Sequence, residues 1–147
     1  MVLPSTRKKA RQLLVQALYQ WQISGSDIGS IEAEFFTDNN MSKVDTDFFR
    51  ELLHGIPSKL DEIDGAYEPH LDRKSGDLDP ISRALLRMGT YELSFRIDVP
   101  YKVVINEAVN LAKKFGPTDA YKYINSILDK VAMATRAVEI KAGRKSR

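Results

Sequence analysis

Apolar residues recur along this chain at the 3.6-residue spacing of an α-helix, and nowhere do apolar and polar residues alternate long enough to make a strand. The clearest case runs from Val99 to Lys130. Pro100 suits a first helical turn, where its missing N–H costs nothing. Val104, Ala108, Leu111, Ala112 and Phe115 then mark one helical face. Gly116 and Pro117 stop that helix, the glycine by accepting a left-handed cap and the proline by refusing to continue. Thr118 and Asp119 are placed to cap a second helix, with its stripe at Ile124, Ile127, Leu128 and Val131. A chain patterned in this way is all-α.

The same reading extends in both directions. Ser5 or Thr6 caps a first helix that Gly25 ends, and a short helix covers Ile28 to Thr37. After the polar break Asp38 to Lys43, Asp45 opens a third helical region through Phe48, Phe49, Leu52 and Leu53. Gly55 and Pro57 interrupt it, and Leu60, Ile63 and Tyr67 carry the spacing onward. The loop Asp72 to Asp79 is the clearest boundary, and Asp79 followed by Pro80 reads as a cap and a first-turn proline. The spacing predicts about seven helices in a bundle with a seam near residues 70–79. That gives a single domain over 1–147, with halves at about 1–71 and 80–140 and a basic tail at about 141–147.

A length of 147 residues suits one domain, and 43% hydrophobic with 29% charged residues is the composition of a globular protein. The chain has no Cys, which excludes disulfides, thiolate catalysis and cysteine-ligated metals and fits a reducing cytoplasm. No stretch approaches the ~18 apolar residues of a membrane span, and no signal-type apolar run follows the basic start. Charge is unevenly spread. Residues 1–26 carry four cations and no acid, residues 27–79 carry fourteen acids and five cations, and the rest carry thirteen cations and six acids. If the two basic ends meet, such a chain presents one side to a polyanion and another to a basic protein.

On a helical wheel the first helix buries Ala10, Leu14, Ala17 and Trp21, flanked by Leu13 and Leu18, and turns Lys8, Gln12, Val15 and Tyr19 outward with Arg11 and Gln22 beside them. Aromatic, basic and amide side chains on one face suit base stacking or a protein interface. Basic charge in a first turn opposes the helix dipole, so Arg7, Lys8, Lys9 and Arg11 point to a use other than stability, and an RNA backbone is that use. The helix opened by Asp119 presents Tyr121, Lys122 and Tyr123 near its N-terminus, where free N–H groups favour phosphate. Catalytic chemistry is missing: His54 and His70 have no metal-ligand spacing, and there is no glycine-rich phosphate loop. Glu92 falls on an apolar face, where an ion pair with an arginine such as Arg87 or Arg96, or one on another element, is expected. The residues read as a binding protein without catalytic residues, metal or cofactor.

Several segments carry a resemblance. PYKVVINEAVNLAKKFG and YKYINSILDK, together with ARQLLVQALYQWQ, FFRELLHGI and ALLRMGTYELSFRIDVP, resemble in order and spacing the NusB family of bacterial transcription antitermination factors, from about Arg7 to Lys130. The resemblance implies a fold of two small packed helical halves. It implies binding of a short single-stranded RNA, the boxA element, together with NusE, a ribosomal small-subunit protein, and through them indirect contact with RNA polymerase and other Nus factors in support of ribosomal RNA transcription. Arg7, Lys8, Lys9 and Arg11 occupy the family's arginine-rich RNA-contacting start, and Tyr123 stands where the family has an RNA-associated aromatic, commonly Phe. Asp119 and Lys122 flank that position and join the expected RNA set.

Tyr19, Gln22, Ser82 and Arg83 form the expected protein interface. Ser82 departs from the family, which usually carries an acid there associated with the NusE contact, so one cross-interface charge pair is absent. The alternatives are the all-α RNA-binding appendage of RNA methyltransferases, which shares the fold, and a purely structural helical adaptor. The absence of a further domain in 147 residues weighs against the first.

Overall fold

A computed structural model describes residues 3–145. Among these residues it contains eight α-helices, with no strand: α1 (Pro4–Ser24), α2 (Ile28–Asp38), α3 (Thr46–Ser58), α4 (Leu60–Tyr67), α5 (Pro80–Phe95), α6 (Tyr101–Phe115), α7 (Ala120–Thr135) and α8 (Ala137–Lys145). The helix beyond the expected seven is α8, which takes in most of the segment read as a basic tail; residues 146–147 of that tail lie outside the described residues. No helix among the described residues is long and apolar enough to cross a membrane.

The chain divides into two compact units, residues up to Leu60 and residues from Asp61 onward. The division falls before the 72–79 loop because α4 is fastened to α5. Arg87 on α5 grips the Asp64 carboxylate of α4 through Nε and Nη2, both at 3.0 Å, and Arg83 Nη1 donates to the Tyr67 hydroxyl at 3.2 Å. Burial, with the nearby Asp64 carboxylate, pushes the Tyr67 phenol well above its usual range.

In the first unit α1 packs on α3 and α2. Leu14 and Leu18 meet a core of Ile31, Phe35, Phe48, Phe49, Leu52 and Ile56, with the Phe35 and Phe49 rings 6.1 Å apart. Val15 is also fully buried, contrary to its wheel position, and Trp21 is only half-buried. Neither Ser5 nor Thr6 caps α1; the cap residue is Leu3, without a side-chain bond, and the Thr6 hydroxyl donates back to the Leu3 carbonyl at 2.8 Å. Gly25, at φ 68°, ends α1 in the left-handed conformation that glycine tolerates best. Asp45 caps α3 by accepting from the Phe48 N–H at 3.1 Å. That helix runs through Gly55 and Pro57 to Ser58 instead of breaking at them.

In the second unit α5, α6 and α7 pack against one another. Every residue of α5 from Ala84 to Leu93 is buried. Gly89 lets α7 approach closely: a Cβ there would meet Leu128 Cδ1 at 2.8 Å. Gly116 ends α6 for a different reason from the one expected, since its φ is −87° and a Cβ would lie 2.8 Å from the Ala112 carbonyl oxygen. Pro100 sits one place earlier than expected, as the residue before α6.

The C-terminus of α5 is closed by Arg136, a residue the sequence does not single out. Its guanidinium is 4% exposed and donates to the carbonyls of Leu93, Val99, Glu92 and Arg96 at 2.8, 2.9, 3.1 and 2.8 Å, and to Glu139 at 3.0 Å. These bonds satisfy carbonyls that a helix end otherwise leaves without donors.

Candidate nucleic-acid interface

The basic start of α1 sorts into two pairs. Arg11 is 3% exposed and its guanidinium lies 5.1 Å from the centre of the Phe48 ring. Arg7 lies over the same ring at 4.7 Å and pairs with Asp45 at 3.2 Å. Both arginines expected at RNA thus pack on Phe48 in the first unit, where their flat, weakly hydrated guanidinium groups suit the aromatic face. Lys8 and Lys9 are exposed. On the outer part of α1, Tyr19 is 40% exposed beside an exposed Ile23, and Gln22 is half-buried.

In the second unit the 72–79 loop and the first turns of α7 come together. The Tyr123 hydroxyl donates to Asp79 Oδ1 at 2.9 Å and lies 2.5 Å from Ser82 Oγ. Asp79 meanwhile caps α5, accepting from the Ser82 N–H at 2.9 Å. Burial works against the charged Asp79 carboxylate, but the hydrogen bonds from Ser82 and Tyr123 outweigh it and hold its pKa below the usual range. Burial, reinforced by Asp79, raises the Tyr123 phenol. One face of the Tyr123 ring is covered by Arg73, its guanidinium 4.4 Å from the centroid and held from the side by Asp72 at 2.8 Å.

These contacts engage two expected interface residues. Ser82 is fully buried against Tyr123, so this position offers no surface here. Arg83 is half-buried and ties down the 72–79 loop through the Ser75 carbonyl and through Ser75 Oγ at 3.1 Å, besides Tyr67.

Asp119 does not cap α7. It has φ 66°, the one positive φ outside glycine among the described residues, and its side chain makes no bond to the helix N-terminus. Its carboxylate, 63% exposed, lies 3.4 Å from Lys122 Nζ. Cations also lie on aromatic rings at the end of α6 and the start of α7. Lys113 and Lys122 approach the Tyr121 ring at 4.9 and 5.9 Å, and Lys114 lies 5.3 Å from that of Phe115. Sequence reading missed Arg73, Lys113 and Lys114; the available signal was the pair of lysines in the last turn of α6, beside the break that leads into α7. Among the described residues no cluster of His, Cys, Asp and Glu is arranged to hold a metal ion.

A family model described as the NusB family matches residues 8–133. The chain belongs to the NusB family. It is 54% identical over 144 residues to the transcription antitermination protein NusB of Teredinibacter turnerae, covering 97% of this chain and 98% of that protein. A structure of T. maritima NusB is 32% identical and superposes with a TM-score of 0.76 over 90% of this chain and 92% of that one. A structure of the antitermination factors NusB and NusE in complex with double-stranded RNA is 26% identical, also with a TM-score of 0.76, over 90% of this chain and 99% of that one. NusB structures therefore share this all-α fold.

Proposed function

We propose that this NusB-family chain is a transcription antitermination protein that holds a boxA-type single-stranded RNA together with NusE. RNA polymerase and the other Nus factors are engaged through that assembly, in the cytoplasm, to sustain transcription of ribosomal RNA operons. The observation that carries the reading is family membership over nearly the full chain, with relatives named for antitermination and a structural neighbour in complex with NusE and RNA. It is a binding role, not an enzymatic one.

Within that role the exposed Lys8 and Lys9 of the first unit, and Lys122 of the second, bind phosphates, and the half-buried Tyr123 stacks on a base. Stacking needs an unpaired base, which favours a single strand over a duplex. Tyr19 and Gln22 belong to the partner face, and the fourteen acids of residues 27–79 complement a basic ribosomal protein. Titrating labelled boxA RNA, single-stranded and as a duplex, with and without NusE, tests this. Tighter binding of the single strand when NusE is present is expected. No RNA binding in either condition would overturn it.

A further inference from the structure

The turn that follows α2 and the outer side of α1 enclose a surface groove of about 300 Å3, at the small end of the range of ligand sites. Four amide side chains line it: Gln12 and Gln16, one turn apart on α1, and Asn39 and Asn40 from the turn. Leu13 and Val44 add apolar surface, and Lys9, one turn before Gln12 and Leu13, supplies a cation.

The hydrogen bonds of the two asparagines leave complementary groups for a ligand. Asn39 Nδ2 donates to the Phe35 carbonyl at 3.0 Å, which leaves its side-chain oxygen as an acceptor. Asn40 Oδ1 accepts from the Ser42 N–H at 3.0 Å, which leaves its amino group as a donor. The turn is also fastened to α1. The Asp45 N–H donates to the Thr6 carbonyl at 3.0 Å, and the Asp45 carboxylate pairs with Arg7 at 3.2 Å. The groove is therefore formed before any ligand arrives, which lowers the ordering cost of binding.

We infer that this groove is a nucleobase site. The amides pair with the donor-and-acceptor edge of a base, Leu13 and Val44 pack on its ring, and Lys9 meets the phosphate of the same nucleotide. The site deepens the RNA-binding role proposed above and rests on it for the source of the base; a free nucleotide offers the same chemistry.

Two measurements decide it. The first is the double substitution Gln12→Ala with Gln16→Ala, which leaves α1 intact because alanine is the best helix former. With circular dichroism unchanged, boxA affinity should fall about five- to tenfold, as for two lost neutral hydrogen bonds, with the slope of log K against log salt unchanged. Lys9→Ala, by contrast, should lower that slope by about 0.7, the value for one single-strand phosphate contact. The second is titration of the isotope-labelled wild-type protein with each of the four ribonucleoside monophosphates at millimolar concentration, following the side-chain amide signals of Gln12, Gln16, Asn39 and Asn40. An effect on RNA alone assigns the site to an RNA base, and an effect on mononucleotides alone assigns it to a free nucleotide. A loss of affinity accompanied by a lower slope counts as a phosphate contact and not as base pairing. If neither measurement shows the expected effect, the inference is overturned. If wild-type protein fails to bind RNA at all, the RNA-binding role falls, and the mononucleotide titration alone keeps or removes the groove.

Discussion

The Tyr123 hydroxyl donates to Asp79 Oδ1 at 2.9 Å, so the aromatic side chain at the start of α7 is tied to the residue that caps α5. The bond fixes the ring's orientation and uses the hydroxyl internally. What the ring offers a ligand is its face, not its polar tip. Tyr123→Phe keeps the face and loses the tie: stability should fall by about 1 kcal/mol, with RNA affinity nearly unchanged. Tyr123→Ala should lose roughly 1–3 kcal/mol of RNA binding as well. Denaturant melts paired with RNA titrations check this, and equal RNA losses for the two variants would refute a stacking role.

The four cations of α1 should separate in the same assays. Arg7→Ala and Arg11→Ala remove groups packed on Phe48 and should lower stability by about 1 kcal/mol or more. Lys8→Ala and Lys9→Ala should reduce the salt slope of RNA binding by about 0.7 each, and substitution of the exposed Lys9 should do so with the melting curve in place. A salt slope carried by the arginines instead would show that the first unit opens on binding.

Asp119→Asn should leave stability unchanged or slightly raised, because asparagine is at home in the left-handed conformation that Asp119 adopts. The substitution also removes a carboxylate 3.4 Å from Lys122. RNA affinity should rise severalfold at low salt and the gain should shrink as salt screens the repulsion. Equal or weaker binding by the variant would place the RNA away from this helix.

Arg136→Lys should be among the most damaging single changes. An ammonium cannot reach the carbonyls of Glu92, Leu93, Arg96 and Val99 together, and a buried charge is left with fewer partners. A loss of about 3–5 kcal/mol is expected for disrupting a buried charged group, read from the denaturation midpoint.

Alkaline pH should expose the two raised tyrosines. Burial raises the phenols of both Tyr67 and Tyr123, so their folded-state pKa values lie above the unfolded value near 10. A group raised on folding contributes stability that is complete below its unfolded pKa and is lost as pH climbs through the folded one. Phenolate absorbance should therefore show only part of the six tyrosines ionising near pH 10, with Tyr67 and Tyr123 following at higher pH. Ionisation of all six in one step, with the fold intact, would contradict the burial.

What could be read from the chain alone is what depends on near neighbours. Asp45 and Asp79 were identifiable as caps because a cap bonds an N–H three residues on, and Pro80 and Gly25 mark helix ends through their own backbone preferences. The stripes of α6 and α7 were visible because a helix repeats every 3.6 residues. Family membership was also legible, since it rests on the order of residues along the chain.

Which charged and polar groups stay outside was decided by tertiary structure. Arg7 turns inward to an acid thirty-eight positions away, and Arg11 packs on the ring of Phe48. Ser82 looks like a surface residue until Tyr123, forty-one positions on, covers it, and Arg136 finds its carbonyls up to forty-four positions back. A helical wheel ranks residues by direction from one axis and cannot tell which directions a second helix will fill. Periodicity therefore determined that this chain is helical and where its helices lie, whereas the packing of those helices chose the cations, amides and rings that stay at the surface, because burial depends on groups brought together from distant parts of the chain.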